Sequence, residues 1–199
     1  MSSGPLRETD PYPGPMSDRR QHLLETAARL FQEEGFHSVG IDRVLSEAGV
    51  AKMTLYRHFA SKEELIVSCV EHYSESRRLL LEEAWERSEV DPRAAVLELF
   101  DALCAKASDP NFPGCPTQQA AGEFPGREHP VHQAAARCKA AMRDGLRDLA
   151  ARCGVSDPKD CATVWFILAE GVLSVGCTLP GEDRRDAVRA IVEQSLGRP

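Results

Sequence analysis

Between Lys52 and Lys62 the chain reads KMTLYRHFASK, a run that brings ammonium, guanidinium, imidazole, phenol and hydroxyl groups together with no acid among them. Such a set suits contact with a phosphate polymer. Thr54, Tyr56 and His58 can hydrogen-bond phosphate oxygens, and Lys52 and Arg57, with Met53 beside them, supply charge or base-edge contacts. Catalysis is a poor fit, because no carboxylate or cysteine stands beside His58 to activate or orient it. From Gly40 to Lys62 the bases Arg43, Lys52, Arg57 and Lys62 outnumber the acids Asp42 and Glu47. The formal net charge of the whole chain is -7. A general basic coat is therefore excluded, and binding to nucleic acid would rest on a small patch, duplicated by pairing of two chains and strongly salt-dependent.

The elements that must position these groups follow from apolar spacing. Ile41, Val44, Leu45 and Ala48 form the inner face of a short helix, and Gly49 supplies the turn, being free of steric penalty at positive φ. Val50 plugs the corner. Leu55 and Phe59 point a second helix inward and leave its basic and polar groups outward. An earlier helix, capped by Ser17 and carrying Leu23, Leu24, Ala27, Leu30 and Phe31 inward, ends at Gly35 and covers the back of the pair.

Thr54, Leu55, Tyr56, His58, Phe59, Lys62 and Leu65, following Ala48, Gly49 and Val50, are similar to the signature of TetR-family transcriptional regulators. The resemblance implies an all-α protein of about nine helices, a three-helix helix-turn-helix head followed by a helical effector and dimerisation domain. It also implies that Thr54, Tyr56, His58 and Lys62 meet the DNA backbone, while Lys52, Met53 and Arg57 are placed for bases. Three positions depart from the pattern, one being Leu45, where a small residue is commoner and the larger side chain sets the two helices slightly wider apart. Gly40 stands where a hydroxyl is common, and Ala51 where serine usually caps the recognition helix, which puts contacts from both in doubt and removes a cap of about 1 kcal/mol at Ala51.

On this reading residues 1–16 form a proline-rich disordered leader, residues 17–61 the DNA-binding head, and residues 62–199 the effector-binding and dimerisation domain. Arg7 either follows DNA as an arm or sits in a leader without a role. Ser61 caps a long helix whose first turn holds Glu63 and Glu64, favourably, and Lys62, against the helix dipole, a conflict that a phosphate would resolve. That helix runs past Trp85, long enough to belong to both domains. Asp91 and Pro92 open the next, with Phe100 and Cys104 on its apolar face. Residues 109–130 are broken by proline and glycine, with a short helix expected between Cys115 and Phe124, and such segments are where cavities and entry routes form.

Around this segment Gly114, Cys115, Pro116, Ala120, Ala121, Glu123, Phe124, His129, Pro130 and Val131 resemble the ligand domain of one TetR subgroup. Thr117, Gln118 and Gln119 replace more apolar residues there, so they either make a polar effector site or face water. The candidate effector set is Phe100, Cys104, Cys115, Gln118, Gln119, Phe124, His132, Cys138 and Trp165, of which Phe124 and Trp165 read equally as core. A helix from residue 131 to Gly154 follows, then one opened by Asp157 and Pro158 that is apolar nearly all round. A helix of that kind needs cover on every side. With Gly171, Ser174 and Gly176 allowing close approach, and Ala187, Val188, Ile191 and Val192 on the last helix, the expectation is a homodimer through the last two helices.

Other chemistry is weakly supported. The cysteines form no CxxC pair, and with no secretory signal they read as reduced thiols in a cytoplasmic protein. His129 and His132 lie near Cys115, Glu123, Glu128 and Cys138, yet no HExxH or cysteine pair completes a metal site. His22 and His37 read as unpaired surface residues. Residues 163–179 are too short and carry Glu170, so a membrane span is not expected. The sequence therefore points to a homodimeric regulator of double-stranded DNA, a repressor released from a near-palindromic operator by a small molecule, with no cofactor. The alternatives are an activator, a regulator sensing thiol oxidants through Cys104, Cys115 or Cys138 or sensing metal, and a C-terminal enzyme module carrying a helical head.

Overall fold

The computed structural model describes residues 16–179 and 181–197. The expected disordered leader, with Arg7, lies outside the described residues apart from Met16. Among the described residues all regular structure is helical: α1 (Met16–Glu34), α2 (Ile41–Ala48), α3 (Lys52–His58), α4 (Lys62–Arg87), α5 (Pro92–Ala107), α6 (Pro116–Glu123), α7 (Pro130–Arg152), α8 (Pro158–Thr178) and α9 (Arg185–Ser195).

Local chemistry sets most of these ends. Gly35 at φ +93° closes α1 and Gly49 at φ 65°, ψ 32° closes α2, both in the left-handed region open to glycine at no steric cost. The Ser61 hydroxyl accepts the Glu64 N–H, Asp91 accepts from Arg93 and Ala94, and Asp157 accepts from Asp160, so each cap satisfies one or two of the orphan first-turn donors. Ala51 and Gly40 supply no side-chain cap, as their chemistry dictates. At the first helix the expectation needs correcting, because α1 begins at Met16, ahead of the serine read as its cap.

Two apolar cores are joined along α4. In the first, Leu23, Leu30, Phe31, Phe36, Val44, Leu55 and Phe59 of the head close over Leu65, Ile66, Cys69 and Val70 of α4, with Ala120, Val131 and Ala134 added from α6 and α7. The second gathers Ala84, Val96, Phe100, Leu103, Leu146, Leu149, Trp165, Val172, Val188 and Val192. Helix α8 is long and apolar enough to cross a membrane by length and composition. It nevertheless buries Trp165, Ala169, Val172 and Leu173 against α5 and α7, and leaves Val164, Ile167 and Val175 exposed on the other side. Gly176 belongs to the inner side. A Cβ there would lie 2.5 Å from the carbonyl oxygen of Ala107, so this glycine serves the α5–α8 crossing within the chain and not, as its spacing suggests, approach by a partner.

Candidate nucleic-acid interface and effector cavity

Helix α3 is anchored by Leu55, which is fully buried, and by Phe59 just beyond it. The remaining side chains divide by exposure. Lys52, Met53, Tyr56 and Arg57 stand in solvent, Met53 at 76% and Tyr56 at 45%, an unusual display for large apolar groups that leaves them free to meet a partner surface. Thr54 is half-buried at the edge of this face. Lys52 lies 3.8 Å from Asp42, both well exposed, a pairing too weak to compete with phosphate.

His58 is half-buried, and its Nε2 atom is enclosed without a hydrogen-bond partner among the described residues. Burial, followed by the positive charges of Arg20, Arg57 and Arg19, holds its imidazole below the ordinary histidine value. A neutral ring ringed by guanidinium groups is a site where an anion is welcome. Arg20 also lies over the Phe59 ring at 4.9 Å, which fixes the start of α1 beside the end of α3. Sequence reasoning missed Arg19 and Arg20. Their signal is the adjacent pair of arginines in the first turns of α1, whose nearness to His58 only the fold creates.

Arg43 and Lys62 are arranged differently from the exposed group. Arg43 pairs with Glu47 at 2.7 Å and Glu34 at 3.4 Å, while Arg29 meets Glu47 at 2.5 Å, an exposed ion-pair network at the edge of the head. The Lys62 ammonium donates to the carbonyl oxygen of His37 at 3.5 Å and lies 6.0 Å from the Phe31 ring centre, and burial lowers its pKa against the pull of Glu123. A carbonyl of the α1–α2 loop thus relieves the conflict with the α4 dipole. His22 and His37 likewise have partners that sequence spacing does not reveal. The His22 ring sits 3.0 Å from the carbonyl of Ala48, and that of His37 sits 2.9 Å from the carbonyl of Glu123.

A cavity of about 290 Å³ opens between α4, α5, α8 and the loop before α6, and also touches Gln32 of α1. Its polar groups are those of Gln32, Tyr73, Arg77, Lys106 and Cys115, and its apolar wall includes Leu80, Leu103, Phe112 and Leu173. Behind it, Arg77 contacts the Cys115 sulfur and Glu170, Lys139 contacts Glu170 and lies 3.9 Å from the same sulfur, and Gln118 donates to Glu170 at 2.9 Å. Burial pushes the Cys115 thiol up. Arg77, Lys139, the Thr117 hydroxyl and the backbone N–H of Gln118 together outweigh burial and hold the thiol below its ordinary value. Cys69, Cys104, Cys153 and Cys161 are instead raised, burial being the first cause in each.

Of the candidate effector residues, the cavity gathers Cys115, with Gln118 one layer behind. Phe100, Cys104 and Trp165 are core: the two rings pack edge to face at 6.3 Å, and the indole N–H donates to Ser195 at 2.6 Å. Gln119 donates to Glu123 and toward the Phe31 carbonyl. Phe124 packs between His37 and His129 at 4.5 and 4.7 Å, and the His132 ring bonds to the Phe124 carbonyl at 2.9 Å, so these two belong to the junction with the head. Cys138 faces a smaller space of about 120 Å³. His129 caps α7 through Val131 and lies 3.2 Å from Glu63. Among the described residues no group of three or more His, Cys, Asp or Glu side chains could hold a metal ion.

Residues 23–69 match the sequence family described as bacterial regulatory proteins, tetR family. A TetR-family transcriptional regulator from Streptomyces coelicolor, solved by crystallography, is 32% identical, with 90% of this chain and 95% of that chain covered at a TM-score of 0.82. The HTH-type transcriptional regulator LmrA of Bacillus subtilis is 27% identical over 167 residues, 81% of this chain and 87% of its own length. The HTH-type transcriptional activator FasR of Mycolicibacterium smegmatis is 35% identical over 94 residues, 45% of this chain and 42% of its own length.

Proposed function

We propose, for a chain that belongs to the TetR family of DNA-binding transcriptional regulators, that it works as a cytoplasmic homodimeric repressor which leaves a near-palindromic operator when a small molecule fills the cavity at Cys115. Residues 17–61 read DNA, and residues 62–199 bind the effector and hold the dimer. The observation that carries the first half is the exposure of Lys52, Met53, Tyr56 and Arg57 on one helix anchored from behind by Leu55. Thr54, Tyr56 and His58 meet phosphates, and Lys52, Met53 and Arg57 reach base edges in the major groove. Arg43 and Lys62 join the backbone contacts from the edge of the head by exchanging their present partners for phosphate.

The dimer reading is supported by the outer stripe of α8 and α9. Val164, Ile167, Val175 and Ile191 remain exposed, Ile167 at 65%, on helices whose other faces are core. Pairing of two copies there would bury them and set the spacing between two α3 helices. Effector coupling of ~1–3 kcal/mol would weaken DNA binding about 5- to 150-fold.

A second reading, thiol sensing, is favoured by the cations at the Cys115 sulfur. Gel shifts on the DNA upstream of the chain's own gene test both. Binding that falls steeply with salt supports the first, and release by an oxidant, reversed by reductant and absent in Cys115→Ser, supports the second. A purified chain that ignores duplex DNA at low ionic strength overturns both.

A further inference from the structure

Resting on the effector reading above, we propose that the cavity at Cys115 takes a small organic anion, a carboxylate on a compact apolar body. The cavity's own charges lead there. Arg77 and Lys106 line it, and no aspartate or glutamate does among the described residues. The acid immediately behind, Glu170, is already met by Arg77 at 3.6 Å, by Lys139 and by the Gln118 amide at 2.9 Å.

Counting the groups around the site, Arg77, Lys106 and Lys139 carry positive charge and Glu170 carries negative charge. With Cys115 as a thiol, two positive charges stand unmatched. With Cys115 as a thiolate, one does.

The unmatched charge is concentrated at Lys106. Its ammonium has no hydrogen bond or ion pair among the described residues, and burial together with the nearby Arg77 guanidinium disfavours its charged form. The Gln32 side chain, which also lines the cavity, has no hydrogen bond there either. Two cations turned toward one partly enclosed space repel each other, and a ligand carrying negative charge relieves that repulsion.

The rest of the lining sets the body of that ligand. Leu80, Leu103, Phe112 and Leu173 supply apolar surface, and about 290 Å³ lies at the small end of ligand cavities. The flat guanidinium fork of Arg77 matches a carboxylate in geometry as well as charge, and the exposed Lys106 admits it from the solvent side.

Calorimetric titration of the full chain with benzoate, hexanoate and octanoate, each beside its neutral amide, tests this. At least one acid is expected to bind about tenfold or more tightly than its amide. Lys106→Gln and Arg77→Gln should each reduce the ratio of acid to amide affinity toward one. Lys106 is exposed, so its variant keeps the fold and carries the test alone if Arg77→Gln does not. Equal affinity for acid and amide, preference unmoved in Lys106→Gln, or no binding by any acid at millimolar concentration overturns the proposal. A parallel gel shift separates the two readings. An acid that binds through Lys106 and leaves DNA bound upholds the anion site and defeats release, whereas release by a neutral compound alone does the reverse.

Discussion

Glu123, at the end of α6, and His37, in the loop between α1 and α2, grip each other in both directions. The Glu123 carboxylate accepts the His37 backbone N–H at 2.8 Å, and a His37 ring nitrogen lies 2.9 Å from the Glu123 carbonyl oxygen. The same carboxylate accepts from Phe36 N–H at 3.1 Å. Helix α6, with Cys115 of the cavity wall as its N-cap, ends in this grip, so one short rod touches both the cavity and the head. Glu123→Ala leaves two N–H groups without their acceptor, and a loss of about 1–3 kcal/mol is expected. Urea denaturation reads the loss, and hydrogen exchange at Phe36 and Phe36's neighbour His37 should quicken before the rest of the head.

His58 gives a pH dependence of known sign. Its folded pKa lies below the ordinary 6.5, so in acid the unfolded chain takes up the proton more readily than the folded one. The stability it contributes is complete above about pH 6.5 and is lost as pH falls toward the folded value. His58→Gln should therefore flatten the slope of stability against pH between about 5 and 7 by less than one proton. Denaturation midpoints of the two proteins across that range check it, and parallel slopes would remove His58 from the account.

On α3, charge and base contacts should separate in DNA-binding assays. Lys62→Ala, beside α3 at the start of α4, is expected to weaken binding to all sequences alike and to reduce the salt slope by about one. Arg57→Ala should relax the preference at one base position, costing about 1–3 kcal/mol for the best site and little for random DNA.

The exposed stripe on α8 predicts oligomeric state. Ile167→Glu would place a carboxylate in the proposed seam, and a penalty of about 3 kcal/mol raises the dimer dissociation constant on the order of a hundredfold. Sedimentation velocity at micromolar chain reads this directly. An unchanged dimer moves the interface elsewhere.

Cys115 should alkylate faster than its buried counterparts. Iodoacetamide followed by peptide mass mapping near pH 8 is expected to label Cys115 ahead of Cys69, Cys104, Cys153 and Cys161, whose thiols are raised. Lys139→Met should slow that labelling by removing one of the cations that favour the thiolate.

The head was legible because its determinants are local. Gly49, the Leu55 and Phe59 anchors and the Ser61 cap each act within a few residues, as do Asp91 and Asp157 at later helix starts. The cavity was not, because it is assembled across helices. Tyr73 and Arg77 lie about thirty residues from Lys106 in the sequence, and only the crossing of α4 with α5 turns them together toward Cys115. Phe100 and Trp165 were drawn into the expected site by type, whereas their rings find each other in the core. Gly176 shows the same limit. Its small size is visible in the sequence, but the Ala107 carbonyl that requires it is not, and Gly176→Ala should cost about 1–3 kcal/mol through overpacking.

The apolar floor beneath the head is built from Leu65, Ile66, Cys69 and Val70, with Ala120, Val131 and Ala134 alongside. All of these come after the helix-turn-helix in the chain. A fragment ending at Ser61 would strip that floor from Leu23, Phe31 and Phe36 and leave a greasy underside in water. The head is therefore not a detachable module: it borrows its foundation from α4, α6 and α7, and on the proposed function a shift in those helices would reach α3 with no further messenger.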